Sequence, residues 1–243
     1  MTTNENLTHH GAANSFSKDD IKEQRSGDKV SYKALERLTK ELNSNDGKYK
    51  IPGKKYIHVR KVLFEKIAQR IEKRSPGMCE ECCPEYLLHP GRGFEPDGGT
   101  IILIDESETE KNYTYFEPVY AAEMKKQGKE ANKDKNNCGN AVERGSKNIM
   151  GFEDVCFGEN IFPYTVFCWG YDFVKEYMHG KLAPMNHGGG YNKELLYDKK
   201  DGKKRATFYL QIEPYTEEEI YNKANNMVEQ VINHYKEKQQ NGK

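Results

Sequence analysis

Three charged side chains, Asp97, Glu123 and Lys125, hold the chemistry that this chain can do. Asp97 follows Pro96 and precedes Gly98-Gly99 and an apolar run; Glu123 and Lys125 close a second apolar run, Val119-Tyr120-Ala121-Ala122. Residues i and i+2 of a strand point to one face, so Glu123 and Lys125 project together. An aspartate at the start of the neighbouring strand can meet Glu123 around a hard cation that prefers oxygen ligands. This is the arrangement a Mg2+-dependent nuclease needs. Acid-x-lysine alone is a weak signal. It recurs at Asp20-Ile21-Lys22, Asp46-Gly47-Lys48, Asp198-Lys199-Lys200 and Asp201-Gly202-Lys203, all in polar, turn-like segments. Only Glu123-Met124-Lys125 ends an apolar run, and the chain holds a single Pro-Asp. The plain alternative is a glutamate and a lysine on the surface of a strand end.

Positioning these groups takes two adjacent strands, expected at Thr100 to Ile104 and Tyr115 to Met124, with Glu106 to Asn112 as the hairpin link. Apolar spacing predicts helices over 31–43 and from Val59 to Ile71. Asn45-Asp46-Gly47 and Pro52-Gly53 place turns over 44–55, and Pro76 to Gly93 reads as a loop. Gly128 to Asn137 is polar and reads as a loop or extended arm; a helix follows from about Asn140, with Glu143 three residues on as in a capping box. Phe162 to Trp169 reads as a buried strand, Gly188-Gly189-Gly190 as a flexible loop, Ala206 to Ile212 as a strand and Thr216 to Lys236 as a long helix. Residues 1–29 are polar and read as a flexible arm, leaving 30–243 as one domain. The expected class is α/β, a mixed central sheet flanked by helices.

The residues after Lys125 narrow the chemistry. Gln127-Gly128-Lys129, then Gly139-Asn140-Ala141-Val142-Glu143-Arg144-Gly145-Ser146-Lys147-Asn148-Ile149, then Phe162-Pro163-Tyr164-Thr165-Val166-Phe167 resemble type II restriction endonucleases of the EcoRI/MunI type in order and spacing. These belong to the PD-(D/E)xK nucleases. The strong stretch runs from about Gly93 to Phe173, with weaker similarity on both sides.

The resemblance implies the restriction endonuclease-like fold and Mg2+-dependent hydrolysis of double-stranded DNA at a palindrome containing AATT, leaving 5′-phosphate ends and 5′ overhangs. It implies that Asp97, Glu123 and the Met124 carbonyl hold the ion. Lys125 then orients the attacking water or stabilises the charge that builds at phosphorus; sequence does not separate these two roles. Asn140, Ala141, Glu143 and Arg144 are the implied base readers, Asn being able to pair bidentately with adenine. Lys147 and Asn148 are implied phosphate contacts, and Gln127 and Lys129 match positions touching a thymine methyl and a phosphate. Asn137 and Gly139 complete the implied DNA-contacting set. Helix capping alone also accounts for Asn140 and Glu143, and both roles can coexist. Gly98-Gly99 lets backbone approach DNA closely. Asn136-Asn137-Cys138 depart from the family pattern, which leaves the outer base pair open, and the family's DNA-wrapping insertion after the Phe-Pro-Tyr strand is shortened. A palindromic site implies a two-fold homodimer, with Val142 to Met150 as its candidate interface.

Composition sets outer bounds. The 243 residues carry zero formal net charge; taken alone, this argues against a general nucleic-acid binder. A specific enzyme with an acidic metal site can be neutral overall and basic on one face. Local basic clusters exist at Lys54, Lys55, Arg60, Lys61; Lys125, Lys126, Lys129; and Lys199, Lys200, Lys203, Lys204, Arg205. No apolar stretch approaches the ~18 residues of a membrane helix and no signal region is evident, so a cytoplasmic, prokaryotic setting is expected, with reduced cysteines. Cys79-x-x-Cys82-Cys83 and His89 could suggest zinc, but a second ligand pair is missing. Three other functions compete. A repair or structure-specific nuclease on the same core would lack the Gly-Asn-Ala-x-Glu-Arg element. A non-catalytic DNA-binding regulator predicts a broken triad, whereas all three residues are present. A zinc-stabilised interaction protein would rest on the cysteines.

Overall fold

The computed structural model describes residues 18–44, 48–78, 91–128, 138–186, 190–197 and 205–241. Its centre is a five-stranded mixed sheet in the order β1-β4-β5-β6-β7: β1 (Lys54–Val59), β4 (Thr100–Asp105), β5 (Glu117–Lys126), β6 (Tyr164–Trp169) and β7 (Thr207–Gln211). A two-stranded ribbon joins β2 (Val62–Leu63) to β3 (Gly93–Phe94). The helices are α1 (Lys18–Leu42), α2 (Phe64–Arg74), α3 (Cys138–Val155), α4 (Glu176–Leu182) and α5 (Glu217–Asn241). β4 pairs antiparallel with β1 and β5, whereas β6 runs parallel to both β5 and β7. The connection from β5 to the parallel β6 contains α3, as a parallel crossover requires.

Side-chain alternation splits the sheet into two cores. On one face Ile101, Leu103, Ala122, Met124 and Phe167 pack under α1 (Leu35, Leu38, Leu42) and α5 (Met227, Val228, Val231). On the other, Ile102, Ile104, Ala121, Val166 and Phe208 meet α2 (Ile67), α3 (Ile149, Phe152, Val155) and α4 (Met178, Leu182). Each fully buried aliphatic or phenyl side chain contributes about 1.5–3 kcal/mol. The β4–β5 register shifts between Ile101 and Ile102, so that Val119 and Tyr120 both join the α1 face. This bulge resets the alternation and turns Glu123 and Lys125 toward the α3 face.

Several expectations shift. α1 begins at Lys18, not near 31, so the expected arm to residue 29 ends in helix. The expected helix from Val59 to Ile71 divides into the end of β1, strand β2 and α2. Val62 pairs with Phe94, and Phe64 N–H donates to Arg92 O at 3.0 Å. β1, which was not expected, follows the turns placed over 44–55 and overlaps them only at Lys54 and Lys55. The Cys79, Cys82, Cys83 and His89 group and the Gly188-Gly189 turn lie outside the described residues. Among the described residues no helix is long and apolar enough to cross a membrane.

Candidate active site

β5 delivers Glu123 and Lys125 side by side, as strand parity requires, and the Pro96–Gly99 turn before β4 brings Asp97 to them. Asp97 N–H donates to Glu123 Oε2 at 3.2 Å, and Met124 N–H donates to Asp97 Oδ2 at 3.1 Å. The turn is bolted to the sheet. Gly98 N–H donates to Ala122 O at 2.9 Å, and His58 of β1, 2.9 Å from Gly98 O, gives that carbonyl a ring N–H. Burial pushes the His58 pKa down, which favours the neutral ring. Gly99 has φ +76°, and a Cβ there would come within 2.5 Å of His58 Nε2 and 2.9 Å of Val59 O. Both glycines are buried. Their smallness serves packing within the protein, a correction to the expectation that they open the backbone to DNA.

The Lys125 ammonium sits among three oxygens: it contacts Glu123 Oε1 and lies 3.3 Å from Asp97 Oδ2 and 3.1 Å from Met124 O. These are the three groups that sequence assigned to a cation. Two carboxylates and a carbonyl form an all-oxygen set suited to a hard divalent ion, and one ammonium leaves the pair of carboxylates with a net negative charge. The electrostatics carry the same message. Burial, and then the Asp97 charge, push the Glu123 carboxyl up to about 7 in spite of Lys125. Burial works against the Lys125 ammonium, yet Glu123 and Asp97 outweigh it and raise its pKa to about 12. The lysine is therefore a charge, not a base, in this state.

Around this cluster lie groups that sequence reasoning did not find. Tyr164 of β6 is fully buried; burial and the Glu123 charge push its phenol well above the usual range. The buried Cys168 thiol is also pushed up by burial, against the pull of Lys125, and is no nucleophile. Glu95, two residues before Asp97, pairs with Arg60 at 3.1 Å and Lys61 at 2.9 Å. His58 gave no signal, because nothing local in β1 points to residue 98.

The expected DNA-contacting residues divide by position. α3 starts at Cys138, two residues earlier than expected, so Gly139, Asn140 and Ala141 occupy its first turn and Asn140 is not its cap. Glu143, Arg144 and Lys147 are exposed, Glu143 and Lys147 pairing at 2.8 Å. Asn148 is half-buried, with its amide nitrogen 2.7 Å from Glu123 Oε1. Gln127 is buried, its N–H donating to Trp169 O at 3.0 Å, so the isolated chain does not present it. Lys129 and Asn137 lie outside the described residues.

A two-carboxylate, one-lysine cluster at a strand end, with the helix of the Gly-Asn-Ala-x-Glu-Arg segment docked on it, directs comparison to nucleases. The family model for restriction endonuclease EcoRI matches residues 10–193. The chain belongs to the EcoRI restriction endonuclease family. It is 31% identical over 122 residues to the type II restriction enzyme RsrI of Cereibacter sphaeroides, a match covering 44% of this chain and 43% of that protein. It is 32% identical over 103 residues to the type II restriction enzyme EcoRI of Escherichia coli, covering 37% and 35%. The matched stretch thus spans less than half the length of either relative.

Proposed function

We propose that this chain is a type II restriction endonuclease: a Mg2+-dependent, cytoplasmic, homodimeric enzyme that hydrolyses both strands of double-stranded DNA at a palindrome containing AATT. Cleavage leaves 5′-phosphate ends and 5′ overhangs. Residues 30–243 act as one catalytic and DNA-reading domain. The observation that carries this reading is the joining of Asp97, Glu123 and Lys125 into one oxygen-rich cluster against α3, in a chain of this family. Asp97, Glu123 and Met124 O would hold the ion, which supplies charge neutralisation and an acidified water. Lys125 stays protonated and stabilises charge on the attacked phosphate. Asn140, Ala141, Glu143 and Arg144 read the bases from the start of α3; Lys147, Lys129, Asn137 and Gly139 hold backbone. Gln127, buried in the free chain, touches a thymine methyl if binding uncovers it. The face of α3 from Val142 to Met150, with Met150 62% exposed, supplies the dimer contact.

The test is incubation of the purified protein with Mg2+ and plasmids bearing every flanking pair around AATT, followed by sequencing of the ends. Discrete cuts at AATT palindromes support the proposal and reveal the outer pair. Specific binding without cleavage would move the function to a regulator.

The raised Glu123 pKa sets a pH dependence. Cation binding needs the ionised carboxylate, so protons compete below about 7. Affinity is expected to rise with pH and level off above neutrality, being about tenfold weaker one unit below that pKa than on the plateau. Calorimetric titration with Mn2+ across pH checks it; a flat profile would show that Glu123 is already ionised at low pH.

A further inference from the structure

We infer that Asn148 is a positioning residue for the Glu123 carboxylate and is the direct link by which α3 sets the metal-holding geometry. The family resemblance implies a DNA-phosphate role for Asn148, next to Lys147. The structure separates the two: Lys147 points to water and pairs with Glu143, whereas Asn148 turns inward. Its Nδ2 lies 2.7 Å from Glu123 Oε1. A carboxylate only accepts, so the amide nitrogen must be the group facing it.

The two oxygens of Glu123 are held from different elements. Oε2 accepts Asp97 N–H from the turn before β4; Oε1 meets Lys125 from its own strand and Asn148 from α3. Of these donors only Asn148 is neutral, carried by a side chain and anchored on a helix. Its neighbour Ile149 and, one turn on, Phe152 are buried in the core beneath α3, so the amide is supplied from a fixed platform. Asp97, Glu123 and Met124 O, which would hold a cation, are the oxygens that Lys125 now contacts. Asn148 is uncharged and bonded to Oε1 from α3, so it would hold the carboxylate plane whether or not Lys125 stays on those oxygens. Partners of this kind behind a metal-holding carboxylate typically contribute 10–100-fold to metal affinity or activity. Because Asn148 lies one to two turns beyond Asn140, Glu143 and Arg144, a shift of α3 on DNA reaches Glu123 directly. This last step rests on the proposed DNA-reading role of α3; the positioning role does not.

The experiment measures Mn2+ binding to the DNA-free protein by the loss of the free-ion electron paramagnetic resonance signal, for the wild type, Asn148→Leu and Asn148→Gln. Leucine keeps the branched shape, with somewhat more volume, and removes the donor; glutamine keeps the amide. Thermal melting without metal confirms that each variant is folded. The expected result is affinity about tenfold weaker or worse for Asn148→Leu, with recovery in Asn148→Gln. Wild-type affinity in Asn148→Leu overturns the inference, and all the more so if its affinity for a DNA duplex in Ca2+ has fallen, which would return Asn148 to phosphate contact. Cleavage by the wild type is scored separately. Mn2+ binding that follows the Asn148 side chain in a protein that cuts no duplex leaves the inference standing and sinks the proposed function. Specific cleavage with Mn2+ affinity indifferent to residue 148 does the reverse.

Discussion

Asp97→Asn and Glu123→Gln are each expected to lower DNA cleavage by about a thousandfold or more while leaving duplex binding intact. The size follows from what is removed. Charge stabilisation by a bound divalent ion is worth several kcal/mol at the transition state, and each 1.36 kcal/mol is tenfold in rate. The binding half of the expectation follows from charge. Asp97 and Glu123 are negative groups beside a polyanion, so neutralising either one removes repulsion and leaves the exposed Glu143, Arg144 and Lys147 of α3 untouched. The amides are chosen over alanine because both carboxylates are also structural acceptors. Asp97 Oδ2 takes the Met124 N–H at 3.1 Å, and Glu123 takes Asp97 N–H, Lys125 and Asn148. Truncation would strand those donors and confound loss of chemistry with loss of fold. The check is a single-turnover cleavage time course in Mg2+ beside a duplex-binding isotherm in Ca2+. Cleavage within tenfold of wild type in either variant would remove that residue from the metal site. Loss of binding in step with cleavage would make it a structural group only.

How far the site was readable depended on range. Glu123 and Lys125 were legible because strand parity is a local rule and an apolar run marks the strand; Asp97 was legible because a lone Pro-Asp precedes another such run. The β5 bulge was not legible. It decides which face those side chains take, and it arises from pairing between Ile101–Ile102 and Pro118–Tyr120. β1 escaped because it is an edge strand whose buried positions, Tyr56 and Val59, fall three apart, a helical spacing. The resemblance marks Asn148 as a site residue with a partner outside the protein; its inward turn to Glu123 depends on where α3 docks. Gln127 shows the same limit: the resemblance implies contact with a thymine methyl, and only the packed structure reveals that the residue is buried after β5.

Arg70→Ala is expected to destabilise the protein by about 3–5 kcal/mol, the range for removing one member of a buried ion pair. At 2–4 °C per kcal/mol for a chain of this size, that lowers Tm by roughly 10 °C. Arg70 lies on α2 with no exposed surface. Its guanidinium donates to Phe116 O at 2.9 Å, Phe157 O at 2.7 Å, Glu117 Oε2 at 3.1 Å and Glu159 Oε1 at 2.8 Å. It therefore ties α2 to the start of β5, the strand that bears Glu123 and Lys125, and to the turn after α3, the helix that bears Asn148. Local pattern reads an arginine on an amphipathic helix as solvated; its acidic partners, 47 and 89 positions away, are invisible to it. Removing it leaves Glu159 buried beside Arg74 and Lys238, with His234 Nε2 4.0 Å away, and takes the Arg70 donors from the Phe116 and Phe157 carbonyls. The pH dependence tells charge from packing. Burial pushes the Glu159 pKa up, but Arg74, Lys238 and Arg70 together outweigh burial and hold it below the usual carboxylate range. A depressed acid stabilises the fold above its unfolded pKa and loses that contribution as pH falls through the folded one. The deficit of Arg70→Ala is therefore expected to be largest near neutrality and to shrink below about pH 4. Urea melts at both pH values check this; an equal deficit at both would assign Arg70 to packing rather than to charge. The Glu159→Gln, Arg70→Met double variant is expected to lose less than the sum of its parts, because each change removes the charge that the other would strand.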